Sequence, residues 1–503
     1  MPSFFARTAE LYKEKKYNQI LDEISKLDKI IRSSEKVLIL AGNCYDALGK
    51  KETAIKCYQK AYKKNKQSEA ALLNLSIICF EQKKYLRAQI YIKKLLSINP
   101  KNCNALALLG NIYKEKKQYQ KAVEKYDKVL QIDPSFYLAN INLAGIYYFQ
   151  KKYKQAYEYA KKAIEKNPTE TEAKKLFAEI SIENETPDEA VLYLEKMLDK
   201  KSQDFWVYNL LSQLYMLQKK YESSLKSGLK AVEISKGQNS QQINFGYILY
   251  DSILAAQNEL VKKYALMWLK KYPENSIVKY MADSVLHNEK VSQNNITYVR
   301  EIFDAFADDF EEILQHLNYN VPKIIADELA TYFHKKQFKK MRILDAGCGT
   351  GLCGGYLKKY AKFNGLDGVD LSPKMLAVAK RKKVYSHLYN QDLNAFLQQH
   401  KNKYNLINAA DVFTYFGELE SLFKNINISL CKRGIIIFSI SENNLDDNNY
   451  YLYCSGRFLH SQKYVEKVLE KNGFLIEKIQ SAHLRNEGEK KVFGWIFIAQ
   501  KSM

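Results

Sequence analysis

Residues 342–357 read RILDAGCGTGLCGGYL. A short apolar run ends on Asp345, and a turn containing Gly347, Gly349, Gly351 and Gly354 follows at once. An apolar strand that closes on an acid and opens into a glycine-dense turn is a cradle for a nucleotide-type cofactor, because glycine lets backbone N–H groups approach a ligand closely. The same glycines satisfy two patterns. Gly349, Gly351 and Gly354 spell Gly-x-Gly-x-x-Gly, whereas Asp345, Gly347, Gly349 and Gly351 spell Asp-x-Gly-x-Gly-x-Gly.

Charge separates the two. A dinucleotide presses its pyrophosphate against the turn, and a carboxylate two residues before the first glycine repels it. S-adenosylmethionine carries no phosphate, and its sulfonium and α-amino group are cationic, so Asp345 favours it. Further on, NGLDGVD (364–370) ends in Asp370, 25 positions after Asp345. That acid is placed to accept hydrogen bonds from ribose hydroxyls, a role both cofactors require. Ser372 and Pro373 follow as N-cap and first residue of a helix, putting Asp370 at a strand-to-helix corner.

KYNLINAAD (403–411) and RGIIIFSIS (433–441) read as further buried strands, the second of the continuous apolar type found in parallel sheets. FLIEKIQSAHL (474–484) and VFGWIFIAQ (492–500) read as two consecutive strands, a hairpin around the charged NEGEKK. Alternating strands and helices predict a mostly parallel, Rossmann-like α/β sheet with ligands at the carboxyl ends of its strands. Asp345, Asp370, Asp392 and Asp411 all fall at such ends.

From Tyr298 to Lys501 the chain resembles class I S-adenosylmethionine-dependent methyltransferases, and more narrowly the predicted methyltransferases that carry tetratricopeptide repeats. Five ordered segments carry the resemblance: YVREIFDAFADDFEEILQHLNYNVP, ILDAGCGTGLCG, GVDLSPKMLAVAK, AADVFTYFGELE and YYLYCSGRFLHSQKYV. It implies a cofactor site of Asp345, Gly347, Cys348, Gly349, Gly351, Asp370, Leu371, Met375 and Asp411. Asp392 and Leu393 stand by the adenine, unless Asp392 only caps its loop. In related enzymes an N-terminal aromatic helix covers the methionine end of the cofactor; here Phe306, in the stripe Tyr298, Phe303, Phe306, Phe310, is either that lid or core packing.

Methyl transfer needs an acceptor held in line, and a base where the acceptor is not already nucleophilic. Near the open strand ends stand Asp411, Tyr415, Arg457 and His460. Arg457 reads either as a clamp for a substrate carboxylate or phosphate or as the partner of a sheet-edge acid. His460 reads either as a base or as a cap on the following helix. The fourth strand ends in NAADV instead of the Asn/Asp-Pro-Pro-Tyr that holds planar nitrogens, which disfavours exocyclic amines as acceptors.

The first 290 residues follow a different rule. Gly42, Ser76, Gly110, Ala144, Ala178 and Ser212 recur every 34 positions, and Ala54, Ala88, Ala122, Ala156 and Ala190 keep the same phase twelve residues later. Tyr45, Tyr113, Tyr147 and Tyr215 lie three residues after the small position, and Pro100, Pro134 and Pro168 mark repeat ends. This period is the tetratricopeptide pattern, in which paired helices touch at small residues and the pairs stack into an α-solenoid. About eight helix pairs are expected over 1–275, with degenerate outer units. A linker follows over 276–296, with VSQNN (291–295) at its heart, and the α/β domain occupies 297–503. The fold class expected is thus an α-solenoid followed by a Rossmann-like methyltransferase domain.

The formal charge of +22 divides as +16 over residues 1–290 and +6 over the rest, and only nine of the 78 basic residues are arginine. A lysine-rich solvated surface accounts for this better than a phosphate-binding face, so nucleic acid is not the expected partner. Eight cysteines are scattered without a Cys-x-x-Cys pair or a histidine cluster, which implies no metal site and no disulfide framework. The N-terminus lacks the apolar core of a signal peptide and no apolar run reaches membrane length, so a cytoplasmic protein is expected. Three readings of function stand. In the first, an S-adenosylmethionine-dependent methyltransferase uses its repeats to recruit a protein partner or substrate. In the second the repeats act as a scaffold and the methyltransferase-like domain is not catalytic. In the third the basic repeats serve a nucleic-acid methyltransferase.

Overall fold

The computed structural model describes residues 2–198, 204–286, 295–335, 340–443, 449–487 and 490–502. The chain divides into two compact units, Met1–Lys200 and Lys201–Met503.

The first unit is a run of antiparallel helix pairs, among them Glu35–Ala47 with Lys51–Lys64, Glu69–Glu81 with Tyr85–Ile98, and Cys103–Glu115 with Tyr119–Ile132. The small residues stand where the two helices of a pair meet. A methyl group added at Gly42 would lie 2.4 Å from the Tyr58 ring, and one at Gly110 would lie 2.6 Å from the Tyr126 ring. Sixteen residues after Ser76, Ala144 and Ala178 the facing position is instead Ile92, Ala160 or Leu194, all fully buried. Side-chain volume is thus traded across the contact: glycine accompanies tyrosine, and a larger small residue accompanies an aliphatic one. Each of the two tyrosines also finishes a polar contact, Tyr58 donating to Asn43 Oδ1 at 2.8 Å and Tyr126 to Asn111 Oδ1 at 2.6 Å.

The turn inside each pair repeats just as strictly. Lys15, Gly49, Lys83, Lys117, Lys151 and Glu185 all have φ between 55° and 74°. The next residue donates its N–H back five positions, as Gln118 does to Tyr113 and Lys152 to Tyr147, each at 2.9 Å. This left-handed closure satisfies carbonyls at the end of the first helix, and lysine occupies it in solvent where glycine would be unstrained.

The second unit begins with more helices of the same kind, including Phe205–Leu217, Tyr221–Ile234, Asn239–Leu254 and Asn258–Lys271. Ser276–Val285 is a further helix with seven buried residues, so the expected linker is structured over those positions. Its apolar face packs with the preceding helices, which a linker does not do. Residues 291–294 of VSQNN lie outside the described residues; Asn295 caps the helix Ile296–Phe306 by accepting from Tyr298 N. The helices from Phe205 onward share a compact unit with the α/β domain, against the expected boundary near 275–296.

The sheet contains β1 (Met341–Ala346), β2 (Ala361–Asp370), β3 (His387–Asn390), β4 (Tyr404–Ala409) and β5 (Leu430–Ser441). A small ribbon of β6 (Tyr450–Leu452) and β7 (Phe458–His460) precedes the hairpin of β8 (Phe474–Glu487) and β9 (Lys490–Lys501). The order is β3-β2-β1-β4-β5-β9-β8, parallel through β5 and antiparallel at β9 and β8. The chain reverses its direction of travel across the sheet between β3 and β4, opening the crevice at the carboxyl ends where ligands of such sheets bind.

Candidate active site

Asp345 closes β1 and is 2% exposed. Its Oδ2 accepts from the Tyr385 hydroxyl at 2.6 Å and its Oδ1 from Asn408 Nδ2 at 2.7 Å. Burial pushes its pKa up to about 6, against the pull of those two hydrogen bonds and with a push from the Asp370 charge. Among the described residues no cation offsets that burial. Gly347 follows at φ 62°, and a methyl group there would lie 2.5 Å from Val412 Cγ2. The turn after β1 can therefore lie against the end of β4 only because residue 347 is glycine.

Asp370 closes β2 and clamps the turn from the other side. Its two oxygens accept from Gly349 N and Ser372 N, each at 2.8 Å. Ser372 Oγ caps the helix Pro373–Arg381 and donates to Asp304 Oδ1 at 2.5 Å, which ties that helix to the aromatic helix Ile296–Phe306. Burial raises the Asp370 pKa. Asp392 both caps the helix Leu393–Gln399, accepting from Ala395 N at 3.0 Å, and lines the cleft beside Leu393, so its two readings are compatible.

At the β4 end, Asp411 adopts φ 56°, a conformation costly for a residue with a Cβ, and Arg485 Nη1 meets its two oxygens at 3.2 and 3.4 Å. Tyr415 stands edge-on to Phe303 with ring centres 5.3 Å apart, and the Arg457 guanidinium lies 5.8 Å from the Tyr415 ring centre. Arg457, Arg485, Tyr415 and Asp411 all line the same cleft as Asp345 and Asp370.

Of the expected site residues, the cleft brings together Asp345, Gly347, Cys348, Gly349, Asp370, Leu371, Asp392, Leu393, Asp411, Tyr415 and Arg457. Four stand elsewhere. His460 is fully buried with Nε2 3.0 Å from the Gly417 carbonyl; burial depresses its pKa to about 4, and it is not among the cleft residues. It is neither an exposed base nor the cap of the following helix, which is Ser461. Met375 is buried beneath its helix, in the core. Phe306, where its helix ends, is 39% exposed, and its neighbours Phe303 and Phe310 face the cleft instead. Gly351 packs the turn against Tyr385.

Sequence reasoning missed Tyr385, Asn408 and Arg485. Nothing in their local patterns marks the first two, whose role exists only once β4 lies beside β1 for Asn408 and the segment before β3 folds back over the glycine turn for Tyr385. Arg485 carried a signal, being one of nine arginines in a lysine-rich chain and standing at a strand end.

The donor set fits S-adenosylmethionine. Three carboxylates, Asp345, Asp370 and Asp392, line the β1–β3 side, and no cationic side chain lines the cleft among the described residues there. Phe303 and Phe310 add aromatic walls, suited to a sulfonium. A pyrophosphate would meet the same acids and be repelled.

A methyltransferase-domain family model matches residues 316–479, and tetratricopeptide-repeat models match 35–67, 69–102, 91–124 and 113–180. Anaphase-promoting complex subunit CDC16 of Saccharomyces cerevisiae is 30% identical over 112 residues, which are 22% of this chain and 13% of that protein. Malonyl-(acyl-carrier protein) O-methyltransferase 1 of Ilyobacter polytropus is 28% identical over 161 residues, 31% of this chain and 53% of that protein. The chain thus spans only about an eighth and about half of these two relatives. The crystal structure of magnesium protoporphyrin IX methyltransferase from Synechocystis PCC 6803 aligns at 21% identity over 42% of this chain and all of that one, with a TM-score of 0.33. The chain joins tetratricopeptide repeats in its N-terminal part to a methyltransferase domain in its C-terminal part.

Proposed function

We propose that the protein is an S-adenosylmethionine-dependent methyltransferase whose repeats recruit a protein partner or a protein substrate. The observation that carries this is the pair of carboxylates around the glycine turn, Asp345 buried and Asp370 half-buried. Asp345 is a buried acid with no cation beside it among the described residues, and Asp370 is held at the strand end by Gly349 N and Ser372 N. Bound S-adenosylmethionine supplies an electrophilic methyl group. Asp345 would hold the cationic methionyl end, Asp370 the ribose hydroxyls, and Asp392 and Leu393 the adenine. Phe303 and Phe310 would keep water from the reacting end. The repeat unit supports recruitment because stacked helix pairs present an extended surface.

Calorimetric titration with S-adenosylmethionine and S-adenosylhomocysteine tests the reading, with Asp370→Ala as control. Micromolar binding lost in the variant is expected. No binding of either ligand by the parent chain would overturn it in favour of a repeat scaffold. That second reading draws on the removal of His460 from the cleft, which leaves no histidine or lysine among its described lining residues.

A further inference from the structure

The cleft is electrically polarised along the sheet edge. The β1–β3 side carries Asp345, Asp370 and Asp392, whereas the β4–β8 side carries two arginines, Arg457 and Arg485, against the single carboxylate of Asp411. A cationic cofactor belongs at the first side. The second side, where an acceptor must stand to face the cofactor's methionine end, has an excess of positive charge.

Among the described residues the same side has nothing suited to taking a proton. The phenols of Tyr319 and Tyr415 are pushed upward by burial and stay protonated at neutral pH, as are the thiols of Cys348 and Cys353 in the glycine turn after β1. Asp411 already faces Arg485 with both oxygens. An amine or an alcohol would arrive protonated and stay so. A carboxylate is ionised at neutral pH and is its own nucleophile.

Arg457 is also held rigidly. It leaves a tight turn in which Gly456 N donates to Tyr453 O at 2.9 Å and Tyr453 N to Arg457 O at 2.8 Å. Tyr280, from the last of the repeat-side helices, donates its hydroxyl to Gly456 O at 2.8 Å, and a methyl group at Gly456 would lie 2.6 Å from the Tyr298 hydroxyl. A planar guanidinium carried on a turn fixed in this way, beside the Tyr415 ring, suits bidentate capture of a carboxylate.

We propose that the acceptor is a carboxylic acid, oriented by Arg457 and converted to its methyl ester, an inference that rests on the methyltransferase reading above. One carboxylate oxygen forms the new O–CH3 bond as the S–CH3 bond breaks and its electron pair passes to sulfur. The products are the methyl ester and S-adenosylhomocysteine, and no proton is released from the acceptor.

The test uses the full chain. S-adenosylhomocysteine binding is measured first, and its absence would remove the underlying reading. Protein that binds it is incubated with methyl-tritiated S-adenosylmethionine and a cell extract, and the labelled products are treated with mild alkali. Methyl esters release volatile tritiated methanol, whereas N-, S-, C- and ether-linked methyl groups keep the label. Volatile label is expected; alkali-stable label, or no label, overturns the carboxylate proposal while leaving the cofactor site intact. In parallel, adipate and its uncharged diamide are titrated into protein saturated with S-adenosylhomocysteine. Adipate alone is expected to bind, and to weaken about tenfold or more in Arg457→Gln, with partial recovery in Arg457→Lys and unchanged S-adenosylhomocysteine affinity. Equal binding of adipate and the diamide overturns the assignment without relying on any variant.

Discussion

The proposed placement of Asp345 against the cofactor's cationic end couples its protonation to cofactor binding, and the size of the expected coupling follows from its surroundings. Its pKa rises from an ordinary 3.8 to about 6, chiefly through burial. Because the folded value lies above the unfolded one, the folded protein binds more protons than the unfolded chain between those two values. Stability therefore falls as pH rises from about 4 to about 6, by roughly 3 kcal/mol when complete. A cation placed against Asp345 offsets that loss by favouring the charged form. At pH 6 about half of the free protein carries a proton there, so binding of S-adenosylmethionine should release about half a proton; at pH 7.5 it should release almost none. Apparent affinity should weaken about tenfold between pH 7 and pH 5. Calorimetry at pH 6 in buffers of different ionisation enthalpy reads the released proton directly. Asp370 is also shifted upward, so the decisive quantity is the difference between the parent and Asp345→Asn, with melting curves to confirm that the variant folds. An affinity independent of pH between 5.5 and 7.5, or proton release unchanged in Asp345→Asn, would refute the assignment of Asp345 to the cofactor's cationic end.

Gly347→Ala forces a side chain into φ 62° and against Val412 at 2.5 Å, so calorimetry should show S-adenosylhomocysteine binding weakened at least about tenfold, whereas Gly355→Ala, with open space around it, should bind normally. Gly110→Ala gains about 1 kcal/mol of helix propensity but presses on Tyr126 at 2.6 Å, for a net loss of roughly 1–2 kcal/mol. Adding Tyr126→Leu, which recreates the Ala178 and Leu194 combination, should restore most of it, as read by hydrogen exchange over residues 103–132. Tyr280→Phe removes the bond to Gly456 and should speed exchange across residues 453–457 by about fivefold, equivalent to about 1 kcal/mol, with S-adenosylhomocysteine affinity unchanged.

The repeat period was legible because close helix contact admits only small side chains, and the contact recurs at one place in every pair. The β1 turn was legible for a related reason: Gly347 and Asp370 are required by backbone geometry and hydrogen bonding that local sequence already encodes. What stayed hidden depends on facing. Met375 and Phe306 sit in correctly read helices, but which side of a helix meets the cleft is set by neighbours distant in sequence. His460 shares its short segment with Arg457, yet strand alternation and the packing of β7 send one inward to the core and leave the other at the cleft. The helix Ser276–Val285 lacks the repeat signature because its partners are the preceding repeats on one side and Tyr298 and Gly456 on the other.

The bond from Tyr280 to Gly456 has a consequence for how such a chain can change over generations. Within Met1–Lys200 the 34-residue units repeat one contact geometry, so a whole unit can be duplicated or lost with the packing inside its neighbours kept. The helices from Asn239 to Val285 have no such freedom, because their tyrosines are part of the wall on which Arg457 rests. The boundary between the two compact units, after Lys200, accordingly falls inside the helical series and not at its end.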